Sequence, residues 1–203
     1  MRNESTTTEN HSVLATLRGL IPSRGLTFNE TLRITELQAN RLLELHSVDD
    51  GPVPTNLVAD LPRIAVRYPR DLPVSGASQW DHAHRCWVIS LNADEPPVRQ
   101  RFTLMHEYAH IISHGFADRL FTGSRWTAAE DQAERAADYF AGCLLMPKRL
   151  LKRAWGNGIQ RPADLAATFD VSERAVTVRL AQLGLSEEPS RCANTRHLTE
   201  VLV

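Results

Sequence analysis

The stretch Val98-Arg-Gln-Arg-Phe-Thr-Leu-Met-His-Glu-Tyr-Ala-His-Ile-Ile-Ser113 contains neither glycine nor proline and reads as one uninterrupted helix. Pro96 and Pro97 stand just ahead of it. Proline is tolerated at a helix start because the first N–H groups have no intrahelical partner. Gly115 stands just beyond the other end. Inside the helix, His106-Glu-Tyr-Ala-His110 is an H-E-x-x-H sequence. Residues four apart share a helix face, with about 5–6 Å between their Cβ atoms. Two imidazoles at that spacing can converge on one tetrahedral zinc ion. Glu107 follows the first imidazole and sits beside such a metal rather than on it. There it can take a proton from an attacking water and deliver it to a leaving amine. Phe102, Leu104, Met105, Ile111 and Ile112 bracket the motif. A helix apolar nearly all round is buried, and buried His and Glu side chains need partners.

A third ligand decides the type of site. The H-E-x-x-H-x-x-G-x-x-H pattern of metzincins fails, because Ser113 and Phe116 occupy the positions of its glycine and last histidine. His114 continues the row of residues four apart, but three ligands on consecutive turns of one straight helix surround a tetrahedral ion poorly. His114 is expected to be a helix C-terminal residue favoured by the macrodipole. A metzincin-like site using it remains an alternative. Glu134-Arg-Ala-Ala-Asp138 offers two carboxylates on one face of the next helix. Glu134 can bind the metal, and Asp138 can accept a hydrogen bond from the far nitrogen of a ligating histidine. Glu130 and Asp131 are alternatives to Glu134. Glu134 ranks first because Ala133, Ala136, Ala137 and Ala141 let its helix approach closely.

Working outward, helical patterns are expected near 11–20 and 29–47, the latter with Leu32, Leu37, Leu42, Leu43 and Leu45 among polar residues. A short helix is expected between Pro54 and Leu61. Ile64–Tyr68 reads as a strand. Ser75–Trp80 and Arg85–Asn92 read as a hairpin about Asp81-His-Ala-His84. Its second strand, Cys86-Trp-Val-Ile-Ser-Leu91, is rich in β-formers. The segment Trp87–Leu91 is a candidate border of the cleft, able to hold an extended peptide by strand addition. His82 and His84 are expected to be solvated loop residues. Beyond a loop over 115–126, further helices are expected at about 127–145, 148–154, 162–168 and 173–183.

Several of these segments together resemble the ImmA/IrrE family of zinc metallopeptidases. They are Arg101-Phe-Thr-Leu-Met-His-Glu-Tyr-Ala-His110, Glu134-Arg-Ala-Ala-Asp-Tyr-Phe-Ala141 and Leu144-Leu-Met-Pro147. Ser90-Leu-Asn92 and Leu165–Leu185 are similar too, so the resemblance covers roughly residues 55–185. It implies zinc ligands at His106, His110 and Glu134, with Glu107 catalytic, and a helix-turn-helix transcriptional repressor as substrate. The Glu-x-x-x-Asp arrangement also resembles the wider gluzincin group. One departure is Tyr108-Ala109, where many members have a small residue such as glycine second. A bulky ring at Tyr108 is expected to narrow whatever approaches that face.

Residues 162–185 read as helix, turn, helix, with Ser172 capping the second helix and Arg174 and Arg179 available for phosphates. Asp164, Asp170 and Glu173 offset those charges, so packing or partner docking is expected rather than DNA binding. The chain has 203 residues, and its net charge of -1 gives no global reason to expect nucleic-acid or membrane binding. Cys86, Cys143 and Cys192 are far apart, which fits a reducing compartment rather than a disulfide framework. The polar N-terminus lacks the apolar core of a signal peptide, and no apolar run is long enough to cross a bilayer. A cytoplasmic protein is expected.

The fold class read from these patterns is α+β. A small antiparallel sheet packs on a helical zinc-peptidase core, with a helix-turn-helix-like cap. The expected organisation is 1–53 as a disordered lead with packing helices, 54–147 as the peptidase core, 148–185 as the cap and 186–203 as a tail. The expected function is zinc-dependent hydrolysis of a peptide bond in a protein, a helix-turn-helix repressor or antitoxin. The alternative is a regulatory DNA- or repressor-binding module whose zinc site is structural or vestigial.

Overall fold

A threonine and a glutamate open the long second helix. The Thr27 hydroxyl accepts from the Glu30 N–H at 3.3 Å, and the Glu30 carboxylate accepts from the Thr27 N–H at 2.9 Å. This reciprocal cap satisfies two of the helix's free donors. A computed structural model describes residues 12–186. The expected disordered lead at 1–10, Cys192, and the tail from residue 187 onward lie outside the described residues. Helix α1 (Val13–Arg18) precedes α2 (Phe28–Leu45), and α3 (Asn56–Ala59) leads into the strands β1 (Ile64–Arg67), β2 (Gly76–Asp81) and β3 (Cys86–Leu91). Helix α4 (Pro97–Ser113), the short α5 (Ala117–Leu120) and α6 (Ala129–Leu145) follow. Helices α7 (Lys148–Gly156), α8 (Pro162–Phe169) and α9 (Glu173–Gln182) complete an α+β fold.

The sheet order is β1-β3-β2. β2 and β3 form the expected antiparallel hairpin, with Asp81 opposite Cys86. Its turn is held by Asp81 Oδ1, which accepts from the Ala83 and His84 N–H groups at 2.9 and 3.1 Å. β1 runs parallel to β3, Ile64 opposite Trp87, so the sheet is mixed rather than antiparallel throughout. The reason lies in the connection between β1 and β2, which leaves a strand's width into which the tight hairpin returns β3. That connection is pinned where Asn92 Nδ2 donates to the Leu72 carbonyl at 3.0 Å. β3 is therefore central, with Val88, Ile89 and Leu91 buried, and β2 is an edge.

Helix α6 lies against both α2 and α4 and buries Ala136, Ala137, Ala141 and Gly142, the small residues that allow close approach. On α2 the buried face differs from the leucine pattern. Leu42 and Leu43 are buried, but Leu37 and Leu45 are exposed, while Thr31, Thr35, Gln38 and Ala39 turn inward. Two of these polar groups reach backbone carbonyls: Thr31 Oγ1 donates to Leu120 at 2.7 Å and Gln38 Nε2 to Leu17 at 3.0 Å. A hydrogen-bonded polar group can be buried at little cost.

The α8–α9 pair turns at Asp170, in the left-handed conformation with φ 51°, and Ser172 caps α9 by accepting from the Ala175 N–H at 3.2 Å. Arg179 is 1% exposed, which overturns its assignment as a phosphate contact. Its Nε donates to the Met146 carbonyl at 3.3 Å, and its guanidinium lies 5.5 Å from the centre of the Tyr139 ring. It fastens the cap to the end of α6.

Where β2 crosses α4, Gly76 leaves no space for a side chain. A Cβ there would lie 2.4 Å from Thr103 Cγ2 and 3.2 Å from the Ser90 carbonyl oxygen. Gly76→Ala is expected to lower stability by about 1–3 kcal/mol through overpacking, read as a fall in the urea midpoint without change of slope.

Candidate metal centre

Helix α4 turns His106 and His110 to the same face, with ring centroids 4.8 Å apart. Their Nε2 atoms are 3.1 Å from each other. From α6, the Glu134 carboxylate straddles the pair, Oε2 at 3.3 Å from His106 Nε2 and Oε1 at 3.2 Å from His110 Nε2. Tetrahedral coordination at zinc–ligand distances of about 2.0–2.1 Å puts neighbouring ligand atoms about 3.3 Å apart. The separation of the two Nε2 atoms, and the distance of each from its nearer Glu134 oxygen, are close to that edge length. One ligand atom from each of the three residues lies within 4.8 Å of the others.

Asp138, one turn beyond Glu134, has Oδ1 2.9 Å from His106 Nδ1. A carboxylate here holds the proton on Nδ1 and leaves the Nε2 lone pair facing the carboxylate of Glu134. Lone pairs and a carboxylate aimed at one point repel one another unless a cation sits between them, so the donor set fits a divalent metal. Burial pushes the His106 pKa down, but the hydrogen bond it donates to Asp138 and the charges of Asp138, Glu134 and Glu107 outweigh it, and the net shift is upward. His110 shifts downward, through burial and then through the charge of His106 beside it. The pair therefore resists carrying two positive charges.

Glu107 is 8% exposed and accepts a hydrogen bond from Ser78 Oγ at 2.8 Å. Both belong to a cleft of about 630 Å³ that also includes Gly76, Phe102 and Thr103 and reaches the three clustered residues. Ser78 was not singled out from sequence. The signal for it was the period-two alternation of β2, in which Gly76 and Ser78 turn inward while Ala77 and Gln79 are exposed.

His114 caps the C-terminus of α4 and packs edge-on against Trp87 at 4.9 Å, apart from the cluster. Glu130 and Asp131 do not belong to it either. His82 is exposed, and His84 Nδ1 lies 2.8 Å from Asp81 Oδ2. Tyr108 does not narrow the cleft. Its ring is 0% exposed and packs edge-on against Phe140, on the far side of α4. Nor can Trp87–Leu91 add a strand, since β3 is paired on both sides; the strand residues that line the cleft, Gly76 and Ser78, come from edge strand β2.

The model of the peptidase M78 family, described as an IrrE N-terminal-like domain, matches residues 64–181, more than half of the chain. This chain belongs to the ImmA/IrrE family of peptidases. A curated relative, the radiation response metalloprotease IrrE of Deinococcus deserti, is 35% identical over 104 residues. That match covers 47% of this chain and 36% of the relative. Among solved structures, a Mycobacterium tuberculosis transcriptional regulator superposes with a TM-score of 0.58 at 18% identity. The superposition covers 84% of this chain and 52% of that one, and it establishes a shared fold. The chain thus spans about half or less of the length of the relatives it matches.

Asp138→Asn is expected to weaken metal binding by about 10–100-fold, measured by competition with a chromophoric chelator. Equal affinity in the two proteins would remove Asp138 from the support of His106.

Proposed function

We propose that this chain is a zinc-dependent endopeptidase that hydrolyses a peptide bond in a protein substrate, a helix-turn-helix transcriptional repressor or antitoxin. The observation that carries the reading is a nearly buried carboxylate, Glu107, in the same cleft as two imidazoles and a carboxylate whose ligand atoms lie within 4.8 Å of one another. A site that held metal only for stability would have no use for Glu107.

In this reading His106, His110 and Glu134 hold the metal, and Asp138 fixes the orientation of His106. When bound there, zinc supplies Lewis acidity: it polarises the scissile carbonyl and lowers the pKa of water to about 7. Glu107 takes the proton from the attacking water and passes it to the leaving amine. Ser78 occupies Oε2 of Glu107 and so holds the carboxylate in one rotamer, leaving Oε1 to meet the water. The outer edge of β2 is unpaired among the described residues, and an extended substrate segment can add there as a further strand. Residues 54–147 form the catalytic core and 148–185 a cap.

Repressor cleavage is the family's implied role, and it fits a chain whose α8–α9 pair has a helix-turn-helix outline but has turned Arg179 into its own interior. The rival reading, a DNA- or repressor-binding module with a structural metal, rests on that outline and on the exposed Arg174. No helix among the described residues is long and apolar enough to cross a membrane. We place the reaction in the cytoplasm, where repressors act.

Co-expression with a candidate helix-turn-helix repressor, followed by mass spectrometry of fragments, tests the proposal. Glu107→Gln is expected to keep its metal and lose about 10²–10⁴-fold in cleavage rate, whereas Glu134→Ala loses the metal itself. Cleavage at the parent rate by Glu107→Gln would sink the general-base assignment. Ser78→Ala is expected to lower kcat about tenfold or more with KM little changed, and Ser78→Thr to restore most of it.

A further inference from the structure

A second cavity, of about 760 Å³, opens on α4 away from the metal cluster and shares no lining residue with the cleft. Its volume falls within the range of about 300–1,000 Å³ typical of small-molecule sites. Aliphatic walls come from Leu14, Leu61 and Ile64. The remaining surface is a run of aromatic rings: Trp80 meets Trp87 edge-to-face at 5.5 Å, and Trp87 meets His114 at 4.9 Å.

The polar groups share one character. Arg18 and Arg63 line the cavity, and among the described residues no aspartate or glutamate does. Arg18 donates through Nε and Nη2 to the carbonyls of Ile112 and Ile111 at the end of α4. Its Nη1 has no hydrogen bond among the described residues. Arg63 lies 5.1 Å from the centre of a Trp80 ring, and among the described residues it donates only through Nε, to the Arg85 carbonyl. Tyr108 also belongs to the wall. Its ring is 0% exposed, and its hydroxyl is buried without a hydrogen-bond partner among the described residues. Folded proteins rarely leave such a group unmatched. A tyrosine hydroxyl is protonated at neutral pH, so it is here a donor that lacks an acceptor. Donors and cations around flat apolar rings, with no competing acid, select an anion attached to an aromatic body.

We propose that this cavity binds a small aromatic carboxylate, its ring against Trp80 and Trp87 and its carboxylate toward Arg63, Arg18 and the Tyr108 hydroxyl. The site bears on the helix that carries the metal ligands. Tyr108 lies two residues from His106, turned about 200° around α4, and His114 caps the same helix. The proposal does not depend on the peptidase reading, because its test measures binding alone.

Isothermal titration calorimetry of the full chain with 1-naphthoate, and with the neutral 1-naphthamide as its isostere, provides that test. One saturable site for 1-naphthoate is expected, with 1-naphthamide at least about tenfold weaker. Tyr108→Phe and Arg63→Gln should each weaken 1-naphthoate about tenfold. Tyr108→Phe should leave the Tm of the free protein unchanged or higher, since it removes an unpartnered hydroxyl. A Glu134→Ala protein should bind 1-naphthoate as the parent does. Loss of binding in that variant would put the carboxylate in the metal cleft and overturn the proposal. It would equally fall if no saturable binding is seen, if the two probes bind alike, or if Tyr108→Phe binds at parent strength. A lower Tm for free Tyr108→Phe would mean that the hydroxyl already has a partner in the chain, and would overturn it too.

Discussion

Three side-chain groups that repel one another in the absence of a cation are held within hydrogen-bond distance. The Nε2 atoms of His106 and His110 are 3.1 Å apart, and both oxygens of Glu134 close on them. Much of the fold serves that approach. The imidazole spacing comes from helix geometry alone, but the carboxylate has to be delivered by another element at a fixed distance. The small residues Ala136, Ala137, Ala141 and Gly142 let α6 come that close to its neighbours. Asp138 then uses the same helix face to orient one ring.

The opposite wall of the cleft depends on a similar economy of volume. Gly76 lets β2 lie against Thr103, and two residues on, Ser78 meets Glu107. Helix α4 thus receives a carboxylate helix on one side and an edge strand on another. Its third side, through Tyr108, faces the interior and the aromatic cavity. The C-terminal cap shares the main apolar core through Leu165, Phe169, Val176 and Leu180, and polar contacts add to it: Arg179 reaches the Met146 carbonyl, and Arg101 of α4 reaches the Asp170 carbonyl at 3.0 Å.

Much of this was legible from residue order, and the exceptions share a cause. The helix at α4 and the hairpin follow from periodicity and breakers, and the clustering of Glu134, rather than Glu130, Asp131 or His114, with the two imidazoles follows from spacing and the alanines on its helix, which are local properties. Ser78 was not legible, because the alternation of β2 says which face a serine takes but not which residue lies across from it. Arg179 was misread for the same reason: an arginine in a helix-turn-helix pattern suggests an outward charge, and only the neighbouring Met146 carbonyl and Tyr139 ring make its burial affordable. The leucines of α2 misled as well, since Thr31 and Gln38 found carbonyl partners in distant segments.

The residue order by itself determined the α+β character, the pair of imidazoles on one helical face and the carboxylates four apart on the next helix. Each is set within a few turns of backbone, where 3.6 residues per turn decide which side chains are neighbours. Only the tertiary structure decided that β3 lies between β1 and β2, that β2 rather than β3 borders the cleft, and that Tyr108 turns away from it. Those outcomes depend on which surfaces meet across long separations in sequence. Volume and hydrogen-bond matching between distant residues settle them, and no local pattern encodes either.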